Sequence, residues 1–390
     1  MAYIYSLFIG AFILGTAIIY FTNLNSSRNS FLDNYKEYIE RYGHKLEVNE
    51  VTTPDGYILS LWHLVSNFTV SPEKVILLQV GFASTGLIYF YIEQNSLPYY
   101  LQEKGYDVWI GNNRGSKFSR KHVSKDSKNS NGDYWDYSMD EIAKYDVTSE
   151  IDYIKNRTGV KKLDFVGYSE GNTLFLMLYM DNPDFVENSI NKFVSFGTIP
   201  NLLNTSVIVS DIIEKLYYFY KIIEPFNKVA DGGGLIINDA FFKYFMENYK
   251  YFEKKLLDFN VMTNRTDAEG IKLLFLNYPM TISIYHLFQW EAIEEEGKLV
   301  YYNTNSKLSD ELREYDYNVI KNWKIRSFIT RSTCDGLSSY SAVTNFLNTI
   351  QNQSLITVFD TNSFAHLDYA LAKSAYKDLY IPLVNFLEEK

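Results

Sequence analysis

The chain has 390 residues, 46% of them hydrophobic and 22% charged, proportions that rule out a disordered or collagen-like protein. A net charge of −10 repels phosphate backbones and excludes nucleic acid as a partner. The single cysteine, Cys334, cannot form an intramolecular disulfide, and no Cys/His cluster has zinc-site spacing, so no metal or cofactor is expected.

From the amino terminus, the stretch from Ala2 to Phe21 carries no charge. Twenty residues in a helix span about 30 Å, the hydrocarbon thickness of a bilayer. With no basic residue before it and no small-x-small site after it, the segment reads as an uncleaved single-pass membrane anchor. A secreted or lumenal chain, after cleavage of a signal peptide, is the alternative. The expected division is an anchor at 1–22, a linker at 23–30, the body at 31–199 and 321–390, and an insertion at 200–320.

Leu46–Val51 and Tyr57–Val65 are β-like runs joined by Pro54-Asp55-Gly56, in which proline presets φ and glycine supplies a positive one, so a hairpin is predicted. Val75–Val80, Tyr106–Ile110 and Leu163–Val166 are short apolar runs of the kind buried on both faces of a parallel sheet. Ser138–Lys155 reads as a helix, with Ser138 as N-cap, Asp140 and Glu141 in its first turn and Gly159 beyond its end. Phe193–Ile199, Ile325–Thr330 and Ile356–Phe359 supply three more strands. The class is therefore α/β with a mostly parallel central sheet. About 120 residues separate Phe193–Ile199 from Ile325–Thr330, far more than a crossover needs. Helical runs at Ile212–Phe219 and Phe241–Phe252, punctuated by Asp231-Gly232-Gly233-Gly234, make this insertion a mostly helical cap.

The chemistry is concentrated in Leu163-Asp164-Phe165-Val166-Gly167-Tyr168-Ser169-Glu170-Gly171-Asn172-Thr173: a buried strand, then G-x-S-x-G, then an apolar helix beginning near Thr173. This is the pattern of a nucleophile elbow, where glycines on either side of the serine leave room for neighbouring backbone. Serine needs a histidine to take its proton and a carboxylate to orient that histidine, in the chain order Ser, acid, His. Of the five histidines, only His286 and His366 follow Ser169. His286 falls inside the insertion and, with Gln289 and Trp290, reads as cap packing. His366 lies in the loop after the last strand, and Asp335 is the carboxylate of the loop after Ile325–Thr330. The oxyanion hole needs two backbone N–H groups, one after the nucleophile and one after the first parallel strand; these are Glu170 and Phe82. Cys334 reads as a packed small hydrophobe, and Arg114, Arg120 and His122 as loop braces.

These residues resemble the acid lipase family of α/β-hydrolases, the lysosomal and gastric lipases and the membrane-anchored fungal steryl ester hydrolases, over about Tyr35 to Leu387. The likeness rests on Thr53-Pro54-Asp55-Gly56-Tyr57, on Gly105-Tyr106-Asp107-Val108-Trp109-Ile110-Gly111-Asn112-Asn113-Arg114-Gly115, on Tyr134-Trp135-Asp136-Tyr137-Ser138, on the elbow, and on Asp335 and His366-Leu367-Asp368. It implies an α/β-hydrolase fold and a serine esterase of neutral lipids, triacylglycerols or steryl esters, with Ser169, Asp335 and His366 as its triad. The family usually has His where this chain has Val80, and Gln where it has Glu170. A carboxylate at 170 opposes a developing oxyanion unless it turns away or is protonated. Two other functions fit the same motifs: an acyltransferase using the same triad, and a catalytically silent lipid-binding membrane protein. No protein partner is inferable.

Overall fold

The computed structural model describes residues 33–65, 69–205, 207–230, 254, 256–258, 260–277, 280–302 and 312–389. The expected anchor and linker lie outside these residues, as do Asp231–Gly234 and the whole of the predicted helix Phe241–Phe252. Among the described residues no helix is long and apolar enough to cross a membrane.

The predicted hairpin forms as strands β1 (Lys45–Thr52) and β2 (Tyr57–Val65), paired antiparallel from Lys45↔Val65 to Thr52↔Ile58. Its turn is closed by Gly56 N–H donating to the Thr53 carbonyl at 2.9 Å. Strands β3 (Val75–Gln79), β4 (Asp107–Ile110), β5 (Lys121–His122), β6 (Leu163–Tyr168) and β7 (Ile190–Phe196) follow. After a two-stranded antiparallel ribbon, β8 (Val229–Ala230) with β9 (Ile282–Ser283), the sheet is completed by β10 (Arg326–Arg331) and β11 (Ile356–Asp360). The order is β1-β2-β4-β3-β6-β7-β10-β11, with β5 beside β2. Every pair from β4 to β11 is parallel.

Successive residues of a strand face opposite sides, so each central strand feeds two cores. Leu77, Trp109, Phe165 and Phe193 point into one. Leu78, Val108, Ile110, Val166 and Val194 point into the other. Burial on both faces explains why these strands read as continuous apolar runs.

Two elements depart from their expected course for reasons visible in the packing. The strand expected at Phe193–Ile199 runs from Ile190 to Phe196. Lys192 hides its start, because its ammonium donates to the carbonyls of Leu387 and Glu389 at 2.7 and 2.6 Å and so sits inside a strand without breaking it. Gly197, at φ +60°, ends the strand before Thr198 and Ile199. The helix expected at Ser138–Lys155 starts with a capping box between Ser138 and Glu141 but passes through a π-helical stretch, Ile142–Val147, and continues as α-helix to Thr158.

Between β7 and β10 the longer helices of the described residues are Val207–Ile223, Ala268–Asn277 and Ile284–Glu296. The last is capped by the Ser283 hydroxyl, which accepts from Tyr285 N–H, and closed by left-handed Gly297. It is tied to the body through Gln289, which accepts from Met139 N–H at 2.7 Å and donates to Asp140 at 2.9 Å.

Candidate active site

Strand β6 delivers Ser169 at a turn with φ 55° and ψ −123°, a region that non-glycine residues occupy only when their surroundings enforce it. The enforcement is visible in the hydrogen bonds: Ser169 N–H donates to the Phe196 carbonyl at 2.9 Å, and the Asn172 amide donates to that same carbonyl at 2.8 Å. The following helix begins at Glu170, immediately after the serine, rather than near Thr173 as expected. A Cβ on Gly171 would stand 2.6 Å from the Gln79 carbonyl and 2.9 Å from that of Val80. That glycine lets the first turn of the helix press against the loop after β3, backbone on backbone.

His366 Nε2 lies 2.8 Å from Ser169 Oγ. Its Nδ1 lies 3.1 and 3.0 Å from the two carboxylate oxygens of Asp335. In the tautomer that satisfies both contacts, Nδ1–H donates to Asp335 and Nε2 accepts the serine proton. Asp335 is fixed in turn by the N–H groups of Leu337 and Ser338, which donate to Oδ1 at 2.9 and 2.8 Å. All three side chains are buried. The structure thus brings together Ser169, Asp335 and His366 from the ends of β6, β10 and β11.

The loop after β3 reaches the same point. A Cβ on Gly81 would meet Ser169 Cβ at 2.9 Å, so Phe82 follows a residue already in contact with Ser169. Ala83 takes a positive φ of 46°. The loop is held from behind by the Tyr89 hydroxyl, which donates to the Gln79 carbonyl at 2.7 Å, and from the insertion by Met280 N–H, which donates to the Ala83 carbonyl at 2.7 Å. Val80 is fully buried in apolar surroundings.

Glu170 is turned away from Ser169 and toward the insertion. Its Oε2 lies 2.7 Å from His286 Nε2 and accepts from Trp290 Nε1–H at 2.7 Å. His286 and Trp290 are therefore polar partners of the helix that starts at Glu170, which corrects their reading as cap packing alone. Gly81, Ala83, Ser84, Glu170, Met280 and His286 share the lining of a small cavity at this junction.

A residue absent from the expected set also bears on the histidine. Tyr168 stacks on His366 at 5.7 Å between ring centroids and 26° between planes, and its hydroxyl donates to the His366 carbonyl at 3.0 Å. Being the variable position of G-x-S-x-G, it carries no signal in the motif.

The basic residues set aside as braces do brace. Arg114 is fully buried beneath the Tyr57 ring, donates through Nε to Asp146 at 2.8 Å and pairs Asp55 at 2.6 Å. Burial alone would lower its pKa, and the two carboxylates more than offset this. The same burial pushes the Asp146 carboxyl up, with Arg114 opposing it. Arg120 donates to the Gly115 carbonyl at 3.2 Å, and His122 accepts at Nδ1 from the N–H groups of Ser124 and Lys125. Cys334 donates its thiol hydrogen to the Asn362 carbonyl. Among the described residues, no group of three His, Cys, Asp or Glu side chains is placed to hold a metal ion.

The chain is similar to known α/β-hydrolase lipases and esterases. Residues 74–224 match a family model described as the alpha/beta hydrolase fold, and residues 35–91 match one described as a partial alpha/beta-hydrolase lipase region. The chain is 26% identical over 398 residues to lipase member K of Homo sapiens, covering 97% of this chain and 96% of that protein. It is 27% identical over 384 residues to the gastric triacylglycerol lipase of Mus musculus, covering 91% and 92%. Among solved structures it resembles a soluble variant of the monoglyceride lipase of Saccharomyces cerevisiae, at TM-score 0.56 and 14% identity over 88% of this chain and 96% of that one. An esterase from Exiguobacterium antarcticum matches at TM-score 0.54 and 13% identity, over 87% and 99%.

Proposed function

This chain belongs to the acid lipase family of α/β-hydrolases, and from that premise we propose that it hydrolyses neutral lipid esters, triacylglycerols or steryl esters, through an acyl-enzyme on Ser169. The observation that carries the proposal is the relay from Ser169 Oγ through His366 to Asp335, with both contacts at hydrogen-bond length. His366 takes the proton as Ser169 Oγ attacks the acyl carbonyl, and Asp335 stabilises the imidazolium that forms. The developing oxyanion rests on the main-chain N–H groups of Phe82 and Glu170. Collapse of the tetrahedral intermediate expels the alcohol, which receives the proton from His366. Water activated by the same histidine then releases the fatty acid.

The insertion at 200–320 acts as a cap whose apolar side chains meet the acyl chain. The segment 1–22 anchors the protein in a membrane; a secreted or lumenal protein is the alternative, and sequencing the amino terminus of the mature chain separates the two.

The test is fatty acid release from triolein and cholesteryl oleate. Wild type is expected to release acid from at least one, and Ser169→Ala to be slower by about a thousandfold or more. Transfer of the acyl group to an added alcohol with no release to water overturns hydrolysis in favour of an acyltransferase. Absence of both reactions supports a silent lipid-binding protein.

A further inference from the structure

His286 touches both residues whose N–H groups are proposed to hold the oxyanion. Its Nε2 bonds Glu170 Oε2 at 2.7 Å, and its ring meets the Phe82 ring edge to face, with centroids 5.3 Å apart and planes at 84°. Glu170 and Phe82 come from opposite sides of the nucleophile, one opening the helix after β6 and the other in the loop after β3. His286 comes from a third element, the helix Ile284–Glu296 of the insertion.

The electrical surroundings of Glu170 sharpen the point. Its side chain and that of His286 are only 1% and 2% exposed. Among the described residues no lysine or arginine is paired with this carboxylate, and its Oε1, like His286 Nδ1, has no hydrogen-bond partner. The polar contacts of the group are thus His286 and Trp290 on Oε2. A lone carboxylate so deeply buried is costly unless a proton or a cation neutralises it. The imidazole is the partner that can share a proton with it. Without that partner, whatever negative charge Glu170 carries would stand on the very residue whose N–H must stabilise a second negative charge in the transition state.

We propose that His286 is a positioning residue of the oxyanion hole, which holds Phe82 and Glu170 in register and takes up the Glu170 charge. This role rests on the hydrolase reading above. It also links the two parts of the molecule: the donors are set only while the helix Ile284–Glu296 is docked on the nucleophile helix.

The test is steady-state hydrolysis of a short-chain p-nitrophenyl ester by the full chain, with thermal melting measured for each variant. His286→Phe keeps a ring against Phe82 and removes the partner of Glu170; kcat is expected to fall about ten- to a hundredfold, with KM within about threefold. Adding Glu170→Gln to His286→Phe removes the uncompensated charge and is expected to recover most of the lost kcat. If His286→Phe alone does not fold, His286→Gln carries the comparison: it retains a donor to Glu170 but no ring, and a kcat reduced at an unchanged melting temperature is expected. A wild-type kcat in His286→Phe, or in His286→Gln where that variant stands in, overturns the proposal, as does a loss that Glu170→Gln leaves unrepaired in a folded double variant. A wild-type chain that neither turns over the ester nor takes a fluorophosphonate on Ser169 contradicts the hydrolase reading itself, an outcome distinct from active wild type with indifferent His286.

Discussion

Two residues packed against the imidazole of His366 hold it in place, although neither belongs to the proposed triad. Gly197 sits at φ +60°, and a Cβ there would stand 2.9 Å from His366 Cε1 and 3.1 Å from Nδ1. Gly197→Ala is expected to cost about 1–2 kcal/mol of stability through backbone strain. It should also lower kcat by more than tenfold, because a displaced ring misses Ser169; a fall in melting temperature with kcat unchanged would refute the steric account. Tyr168→Phe removes the hydroxyl that donates to the His366 carbonyl and leaves a buried acceptor unpaired, at about 1–3 kcal/mol. Its kcat should fall severalfold with KM unaltered, and a changed KM alone would point to a substrate contact instead. The convergence of Ser169, Asp335 and His366 was legible in the sequence because chain order and loop position restrict an elbow serine to few partners. Tyr168 and His286 were not, since each meets its partner across a long stretch of chain, 198 residues for Tyr168 with His366 and 116 for His286 with Glu170.

At the scale of elements, Asp140 joins the helix that starts at Ser138 to the insertion. Its carboxyl accepts from Gln289 Nε2 at 2.9 Å, from Tyr302 N–H at 2.7 Å and from the Tyr315 hydroxyl at 2.6 Å. Burial pushes its pKa from 3.8 up to about 6, against the pull of these three donors. The folded state therefore holds this proton to a higher pH than the unfolded chain does. Stability from this group is greatest below pH 4 and is lost as pH rises from about 4 to about 6. Wild type should lose on the order of 2–3 kcal/mol from this source between pH 4 and pH 7, and Asp140→Asn should not. Urea unfolding of both proteins at the two pH values checks this, and parallel pH profiles would contradict it. The N-cap of this helix was readable from Ser138, Asp140 and Glu141. Its π-helical turn was not, because the wider turn is fixed by tertiary demand: it lies where Asp146 must meet Arg114 from one face and Glu150 must reach Asn112 N–H from the next. The start of β7 was masked likewise by Lys192, whose partners are carbonyls at the far end of the chain.

For the whole molecule, the two cores follow from apolar runs long enough to cross a layer and short enough to be strands, which is why the α/β class was legible in the sequence while the strand order was not. How the insertion meets the body could not be read that way, since it depends on three separate contacts: Met280 on the Ala83 carbonyl, Gln289 on Met139 and Asp140, and His286 with Trp290 on Glu170. The first falls on the loop after β3 and the last on the residue after Ser169, so the insertion borders the proposed site of ester binding. The central claim is that Ser169 is a nucleophile activated by His366. Its most direct measurement is mass spectrometry of the full chain after reaction with a fluorophosphonate. One adduct, mapped to the peptide holding Ser169, absent in Ser169→Ala and strongly slowed in His366→Ala, is the expected result; no adduct, or one that persists in Ser169→Ala, contradicts the claim.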